Sequence, residues 1–365
     1  MKFTSTLQTL QKEVDKAVAF AATKSANGIT SCIYLEAKDD NLTIKATDMK
    51  AGFTSTIKVN VEVPGKTAVY ADKLSAILKN MPKNDLILET REEMLYIYPT
   101  DAKKVNVGIR TLDAERFPEQ EKKNGSIAFS IKSADLIKMA NSVSFAVGSD
   151  MSRAFLTGVY MEAQNDVLYL VATDSKRLAA VSYEGAFGEF GGQVIPVRFF
   201  QFLNGTLGEY VTITLGNGTI FAESEAITIS CSTLGDRYPA WRKVVPANAK
   251  FMLKMNVANL ERAINLTSIM SDAKTRSLFL DLEENQMMVR GQDANYGHSK
   301  QILDCEYEGE KVTVQFNSLL LPPLLKGIET TNLIAKFNDG QRAWLFTPEG
   351  SENLIYVIMP MSLTK

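Results

Sequence analysis

The sequence predicts an α+β protein built from three copies of one domain, each with two helices packed on antiparallel strands. Three observations predict it. Strand-then-helix segments recur at a nearly fixed spacing. Short markers recur between them in one order. The helical part of each copy carries apolar residues three and four apart.

The openings come first. Lys2-Phe3-Thr4-Ser5-Thr6 leads into Leu7–Val14, Ala128-Phe129-Ser130-Ile131 into Ser133–Ala140, and Met252-Leu253-Lys254-Met255 into Val257–Ile264. Leu10, Leu136 and Leu260 are then equivalent, 126 and 124 residues apart. Leu7, Leu10, Val14 and Val18 form the apolar stripe of the first helix. Strand-like runs follow at Cys32–Ala37, Leu42–Thr47 and Phe53–Val59, with Asp39-Asp40-Asn41 as a turn between the first two. A second helix is expected at about 71–81, and strands at Leu86–Glu89 and Met94–Tyr98 close the copy.

The markers keep the same order. Ala71-Asp72-Lys73-Leu74, Pro196-Val197-Arg198-Phe199 and Asn317-Ser318-Leu319-Leu320 each open a second helical stretch. Ala46-Thr47-Asp48 returns as Ala172-Thr173-Asp174, with Asp293 a weaker third counterpart. Phe117-Pro118 returns as Tyr238-Pro239 and more loosely as Met359-Pro360. The copies are expected at 1–122, 127–246 and 247–365, joined near 120–127 and 246–250, each of roughly 120 residues.

Composition narrows the function. The 365 residues are 45% hydrophobic, and 40 Lys+Arg against 42 Asp+Glu leave a formal charge of -2. That balance argues against a disordered tail and against a uniformly basic nucleic-acid binder. His298 has no second histidine for a two-His metal site, and Cys32, Cys231 and Cys305 form no C-x-x-C pair. Sparse, odd cysteine usage fits a reducing cytoplasm. No apolar leader or run of 18 apolar residues is seen, so neither a targeting segment nor a membrane partner is expected.

No catalytic constellation emerges. There is no G-x-G-x-x-G, P-loop or G-x-S-x-G, so no cofactor, metal or catalytic residue is expected. Gly185, Gly188, Gly191 and Gly192 read as a loop between strands, His298 as a surface loop residue, and the cysteines as small core or half-buried residues. Asp39-Asp40 and Glu283-Glu284 read as turn acids. Basic residues on the helices are more suggestive: Lys12, Lys16 and Lys24 around the first, Lys73, Lys79 and Lys83 around the second, and Lys132, Lys138, Arg198, Arg262, Lys274 and Arg276 in the later copies. They suit a solvated helix face or a positive surface facing phosphates.

Three copies, the start Met1-Lys2-Phe3, the segments Ala172–Ala179 and Asp236-Arg237-Tyr238-Pro239, and the ending Val357-Ile358-Met359-Pro360-Met361 together resemble the bacterial β sliding clamp family, the processivity subunit of DNA polymerase III. The resemblance covers essentially the whole chain. It implies a head-to-tail homodimer whose six domains form a closed ring, helices lining the hole, around duplex DNA held without sequence preference. It implies a non-catalytic cytoplasmic replication protein. Its partners would be the replicative polymerase alpha subunit, the clamp loader, other polymerases and repair proteins, all binding through short peptides.

Carried over by position, the peptide pocket would be walled by Leu156, Thr173, Ser175, Arg177, Leu178, Pro239, Lys243, Val244, Asn317, Leu320, Val357, Met359, Pro360 and Met361. DNA would face Lys24, Lys73, Lys79 and Arg198, with Asp150 standing where the family often has a polar DNA contact. Val107 and Ile109 of one protomer would meet Ile269 and Met270 of the next. Where the family usually has Gly-His or Gly-Tyr, this chain has Ser175-Lys176, and its usual C-terminal Arg is Ser362. A three-domain interaction scaffold with no DNA role is the alternative.

Overall fold

A computed structural model describes residues 1–23, 28–101, 105–121, 123, 125, 127–235 and 237–362. The chain divides into two compact units, Met1–Ile137 with Arg198–Thr233, and Lys138–Val197 with Leu234–Lys365. Strands and helices are numbered along the chain.

The first unit holds a 13-stranded sheet. Its order is β10 (Ile127–Lys132), β15 (Tyr210–Leu215), β16 (Thr219–Ser224), β17 (Ile227–Ser232), β4 (Ala51–Lys58), β3 (Asn41–Thr47), β2 (Cys32–Lys38), β6 (Gly65–Tyr70), β9 (Val107–Leu112), β8 (Met94–Pro99), β7 (Asp85–Arg91), β1 (Lys2–Thr6) and β5 (Asn60–Val63). The second unit holds two sheets. One runs β14 (Phe190–Pro196), β11 (Gly158–Gln164), β12 (Val167–Thr173), β13 (Arg177–Glu184), β26 (Leu354–Ile358), β25 (Trp344–Pro348), β24 (Asn332–Phe337), β18 (Phe251–Asn256) and β22 (Glu306–Tyr307). The other runs β21 (Gly297–Asp304), β20 (Gln286–Asp293), β19 (Ser277–Glu283) and β23 (Val312–Asn317). Every pairing is antiparallel.

One wiring is repeated three times. The order β4-β3-β2-β6 recurs as β13-β12-β11-β14 and as β21-β20-β19-β23. The order β9-β8-β7-β1 recurs as β17-β16-β15-β10 and as β26-β25-β24-β18. Successive copies are joined by strand pairing. The last strand of the second copy, β17, lies against β4, with Ile227 opposite Ser55 and Cys231 opposite Ala51. The last strand of the third, β26, lies against β13, with Arg177 opposite Ile358 and Val181 opposite Leu354. Both seams are antiparallel ladders, so backbone groups that would otherwise face water pair across the boundary between copies.

The helices follow from local chemistry. The Thr6 hydroxyl accepts the Thr9 N–H at 3.2 Å and starts α1 (Leu7–Val18). Leu7, Leu10 and Val14 are buried as expected, but Ala17 rather than Val18 completes the buried stripe. Glu13 is buried among them because Lys16 (2.8 Å) and the Ser55 hydroxyl (2.7 Å) both reach its carboxylate. In α2 (Ala71–Asn80), Asp72 sits in the first turn and Lys79 in the last, each complementing the helix dipole. The helices α3 (Ser133–Ser144), α4 (Val197–Leu203), α5 (Val257–Ser268) and α6 (Leu321–Lys326) complete the set. The Asn256 side chain caps α5 through the Asn259 N–H at 3.0 Å.

Several expectations shift. The strands β5, β6 and β9 have no clear sequence signal. The first is nearly all exposed, and β9 buries only Ile109 fully. His298 is exposed, but it lies in strand β21 rather than a loop. Gln120, expected in a linker, is anchored instead: its amide donates to the carbonyls of Phe53 (2.8 Å) and Ala46 (3.2 Å). Gly191 and Gly192 are in β14, not in a loop. A Cβ on Gly192 would sit 2.1 Å from the Tyr160 ring, so glycine is what lets that ring stack on Tyr238 at 4.5 Å.

Candidate functional site

The repeated Ala-Thr-Asp marker has a physical cause. In the turn between β3 and β4, the Asp48 carboxylate accepts the N–H groups of Lys50 (2.9 Å) and Ala51 (2.7 Å). In the turn between β12 and β13, Asp174 accepts those of Lys176 and Arg177, both at 2.9 Å. Asp293 does the same for Asn295 (2.8 Å) and Tyr296 (3.2 Å). The hydroxyls of Thr47 and Thr173 each close their turn on a carbonyl, of Ala51 (2.7 Å) and Arg177 (2.6 Å). The marker is a side-chain-braced hairpin turn, used once per copy.

In the second copy this turn borders an apolar cleft of about 420 Å³, wholly within the second unit. Four segments build it. A 3₁₀ turn (Met151–Leu156), capped by Asp150, brings Arg153, Phe155 and Leu156. The β12–β13 turn brings Thr173, Ser175, Lys176, Arg177 and Leu178. A second 3₁₀ turn (Trp241–Val244) and the residues before it bring Pro239, Trp241 and Val244. The end of β26 brings Val357 and Met359.

The floor is rigid. Leu178, Trp241 and Val357 are buried and belong to one core cluster with Val171, Ala180 and Leu345. The Trp241 indole donates to Glu162 at 3.1 Å, and Arg242 stacks on its face. Arg177 is immobilised from three sides, by Asp174 (3.0 Å), the Phe145 carbonyl (2.6 Å) and the Phe145 ring. Tyr238, half-buried and stacked on Tyr160, has its phenol pKa pushed up by desolvation. Met359 is held by its N–H on the Lys176 carbonyl at 2.9 Å and stays 46% exposed at the rim.

Nine residues expected at a pocket thus converge: Leu156, Thr173, Ser175, Arg177, Leu178, Pro239, Val244, Val357 and Met359. Lys243, Asn317, Leu320, Pro360 and Met361 do not line the cleft. Asn317 is the last residue of β23 and its side chain caps Leu319, while the Met361 N–H is tied to the Gln315 carbonyl at 2.7 Å. Arg153, Phe155 and Trp241 line the cleft without any expectation from sequence, and Lys176, which departs from the family pattern, lines it as well. Trp241, two residues beyond the Tyr238-Pro239 marker, was the available signal.

The basic residues fare unevenly. Lys24 lies outside the described residues. Lys73 and Lys79 on α2 are exposed and near carboxylates, Asp72 at 3.5 Å and Asp15 at 3.3 Å. Arg198 on α4 is half-buried and paired with Asp48 at 2.6 Å. Burial alone would raise the Asp48 pKa, but the bonds from Arg198, Ala51 and Lys50 outweigh it, and the carboxyl sits below its ordinary value. Of the interface candidates, Val107 is half-buried and Ile109 buried on β9, Ile269 is 71% exposed just past α5, and Met270 is half-buried.

Three family models match in sequence order: the N-terminal domain of the DNA polymerase III beta subunit at residues 1–121, the central domain at 130–240 and the C-terminal domain at 242–362. The chain belongs to the DNA polymerase III beta subunit family. The beta sliding clamp of Treponema pallidum is 27% identical over 369 residues, covering 99% of both chains. The solved DNA polymerase III beta subunit of Pseudomonas aeruginosa superimposes with a TM-score of 0.95 at 24% identity over all of both chains. A sliding clamp from the same organism, solved bound to griselimycin, gives 0.93 at 24% identity over all of both chains. The chain is accordingly a DNA sliding clamp in fold and function. No helix among the described residues is long and apolar enough to cross a membrane.

Proposed function

We propose that two copies of this chain close head to tail into a ring around duplex DNA, and that the ring tethers the replicative polymerase to its template. The strand seams support the reading best. Two seams of one kind, β17 on β4 and β26 on β13, join the three copies. The same rule leaves one donor strand, β9, and one acceptor, β21, whose outer edge carries no partner among the described residues. Among the described residues, 107–110 of β9 pair with β8 alone, while 111–112 pair with β6. A second chain supplying β21 to β9, and β9 to β21, uses both edges and closes the assembly. Exposed Leu266 and Ile269 at the end of α5, with Ile302 on β21, give that seam an apolar component. The domain limits 1–122, 127–246 and 247–365 are our division of each half-ring.

The mechanism needs no chemical step, and we assign the chain no catalysis and a cytoplasmic location. A closed ring cannot dissociate laterally, so a bound polymerase stays at high local concentration near its primer end. Contacts to DNA must then be weak, sequence-independent and salt-screened. Lys24, Lys73, Lys79 and Arg198 are our DNA-facing residues. The cleft at Leu178, Trp241 and Val357 takes short peptides with apolar anchors from the polymerase alpha subunit, the clamp loader and repair proteins. Lys243, Asn317, Leu320, Pro360 and Met361 would belong to its outer reach.

Two measurements test this. Sedimentation should give a mass near twice the 40.3 kDa of one chain. Once loaded, the protein should remain on nicked circular DNA and run off after linearisation. A persistent monomer that never stays on circles defeats the ring. For the cleft, Met359→Asp should weaken a peptide taken from the polymerase about tenfold or more without changing the mass; unaltered affinity defeats the pocket assignment.

A further inference from the structure

The apolar cleft carries a surplus of positive charge. Arg153, Lys176 and Arg177 line it, and no carboxylate does among the described residues. Two of these cations are already committed. Arg177 is paired with Asp174 at 3.0 Å, and Arg153 with Asp150 at 3.0 Å, with a further bond to the Ser175 hydroxyl at 3.2 Å. The two acids are committed as well, each accepting a backbone N–H besides its arginine. Lys176 differs. Its main chain is fixed, N–H on Asp174 and carbonyl on the Met359 N–H, but its ammonium has no ion pair among the described residues. It is an exposed cation on a rigid turn, directly above an apolar floor.

We propose that Lys176 is a specificity residue of this cleft, and that the peptides it selects carry a carboxylate beside their apolar anchors. The inference rests on the peptide-pocket reading and deepens it. The apolar anchor fills the space over Leu178, Trp241 and Val357, which fixes the height of the neighbouring peptide residues relative to the rim. A carboxylate there pairs with an ammonium whose main chain is already ordered. A peptide lysine meets three cations and no nearby acid free to answer it. Charge then works mainly by discrimination, penalising the wrong partner more than it tightens the right one.

The test uses three synthetic labelled octapeptides that share a central Leu-Leu-Phe anchor and are flanked by two Asp, two Asn or two Lys. Fluorescence anisotropy reads their affinities for the full chain, its Lys176→Gln and Lys176→Glu variants, at low and high salt. The Asp peptide should bind about five- to tenfold tighter than the Asn peptide, and the Lys peptide weakest, with the spread shrinking as salt rises. Lys176→Gln should erase most of the Asp-over-Asn preference. Lys176→Glu should bring the Lys peptide above the Asp peptide, a reversal that misfolding does not produce. Equal binding of the Asp and Asn peptides, or a preference that survives in Lys176→Gln, overturns the role of Lys176 and leaves the pocket intact. If none of the three binds, the pocket reading itself falls, and this inference with it.

Discussion

Ser175 and Met49 hold equivalent places in their turns, with left-handed φ of 72° and 74°. An L residue there carries a steric cost that glycine avoids. Ser175→Gly should therefore raise the urea midpoint, reporting an unfolding free energy higher by about 0.5–1 kcal/mol after the extra freedom of glycine in the unfolded chain is deducted. An unchanged or lower midpoint would mean that the bond from Arg153 to the Ser175 hydroxyl outweighs the strain. Asp48 offers a second residue-level test. Its folded pKa is depressed, so its share of stability is present above the unfolded value near ~3.9 and is lost as pH falls through the folded one. Asp48→Asn should lower stability at neutral pH and flatten the acid slope below about pH 4; an equally steep slope in the variant would remove Asp48 as its source.

At the scale of elements, α1 shows how much packing adds to pattern. Its 3.6-residue stripe was legible, and so was its start after Thr6. The burial of Glu13 was not, because its partner Ser55 is 42 residues away on β4. Leu10 is fully buried, so Leu10→Ala should cost about 2–5 kcal/mol in a denaturation series. The strands β5 and β9 were invisible for a related reason: short edge or seam strands owe their pairing to neighbours rather than to their own alternation. The outer edge of β21 is the element on which the assembly should turn. An Ile269→Asp, Ile302→Asp double variant should run at the mass of one chain while keeping its circular dichroism; an undisturbed dimer would place the seam elsewhere.

For the whole molecule, net charge is a poor guide. A formal charge of -2 coexists with lysines and arginines gathered on particular faces and turns, as around the apolar cleft. Several of the expected DNA-facing cations are partly neutralised, Arg198 by Asp48 and Lys79 by Asp15. Such pairing suits sliding, in which phosphate contacts must be made and released continually. Asp48→Asn frees the Arg198 guanidinium, so it should also slow run-off from linear DNA and steepen the salt dependence of that run-off. A run-off rate that matches the unaltered chain across 50–200 mM salt would argue that Arg198 does not reach phosphate.

Most of the walls of the cleft were legible only through the resemblance to the family. The sequence by itself determined the threefold repeat, the α+β class and the recurrence of Asp48, Asp174 and Asp293 as markers, which the structure shows to brace hairpin turns. These are local or periodic features, and local chemistry writes them into neighbouring residues. Tertiary structure alone decided which edges pair. The seams of β17 with β4 and of β26 with β13 join residues more than 170 positions apart, through backbone groups that every residue carries. It also decided that Trp241 and Lys176 share one cleft and that Arg198 is held by Asp48. Contacts of that kind depend on where distant strands deliver their ends, which no short stretch of sequence encodes.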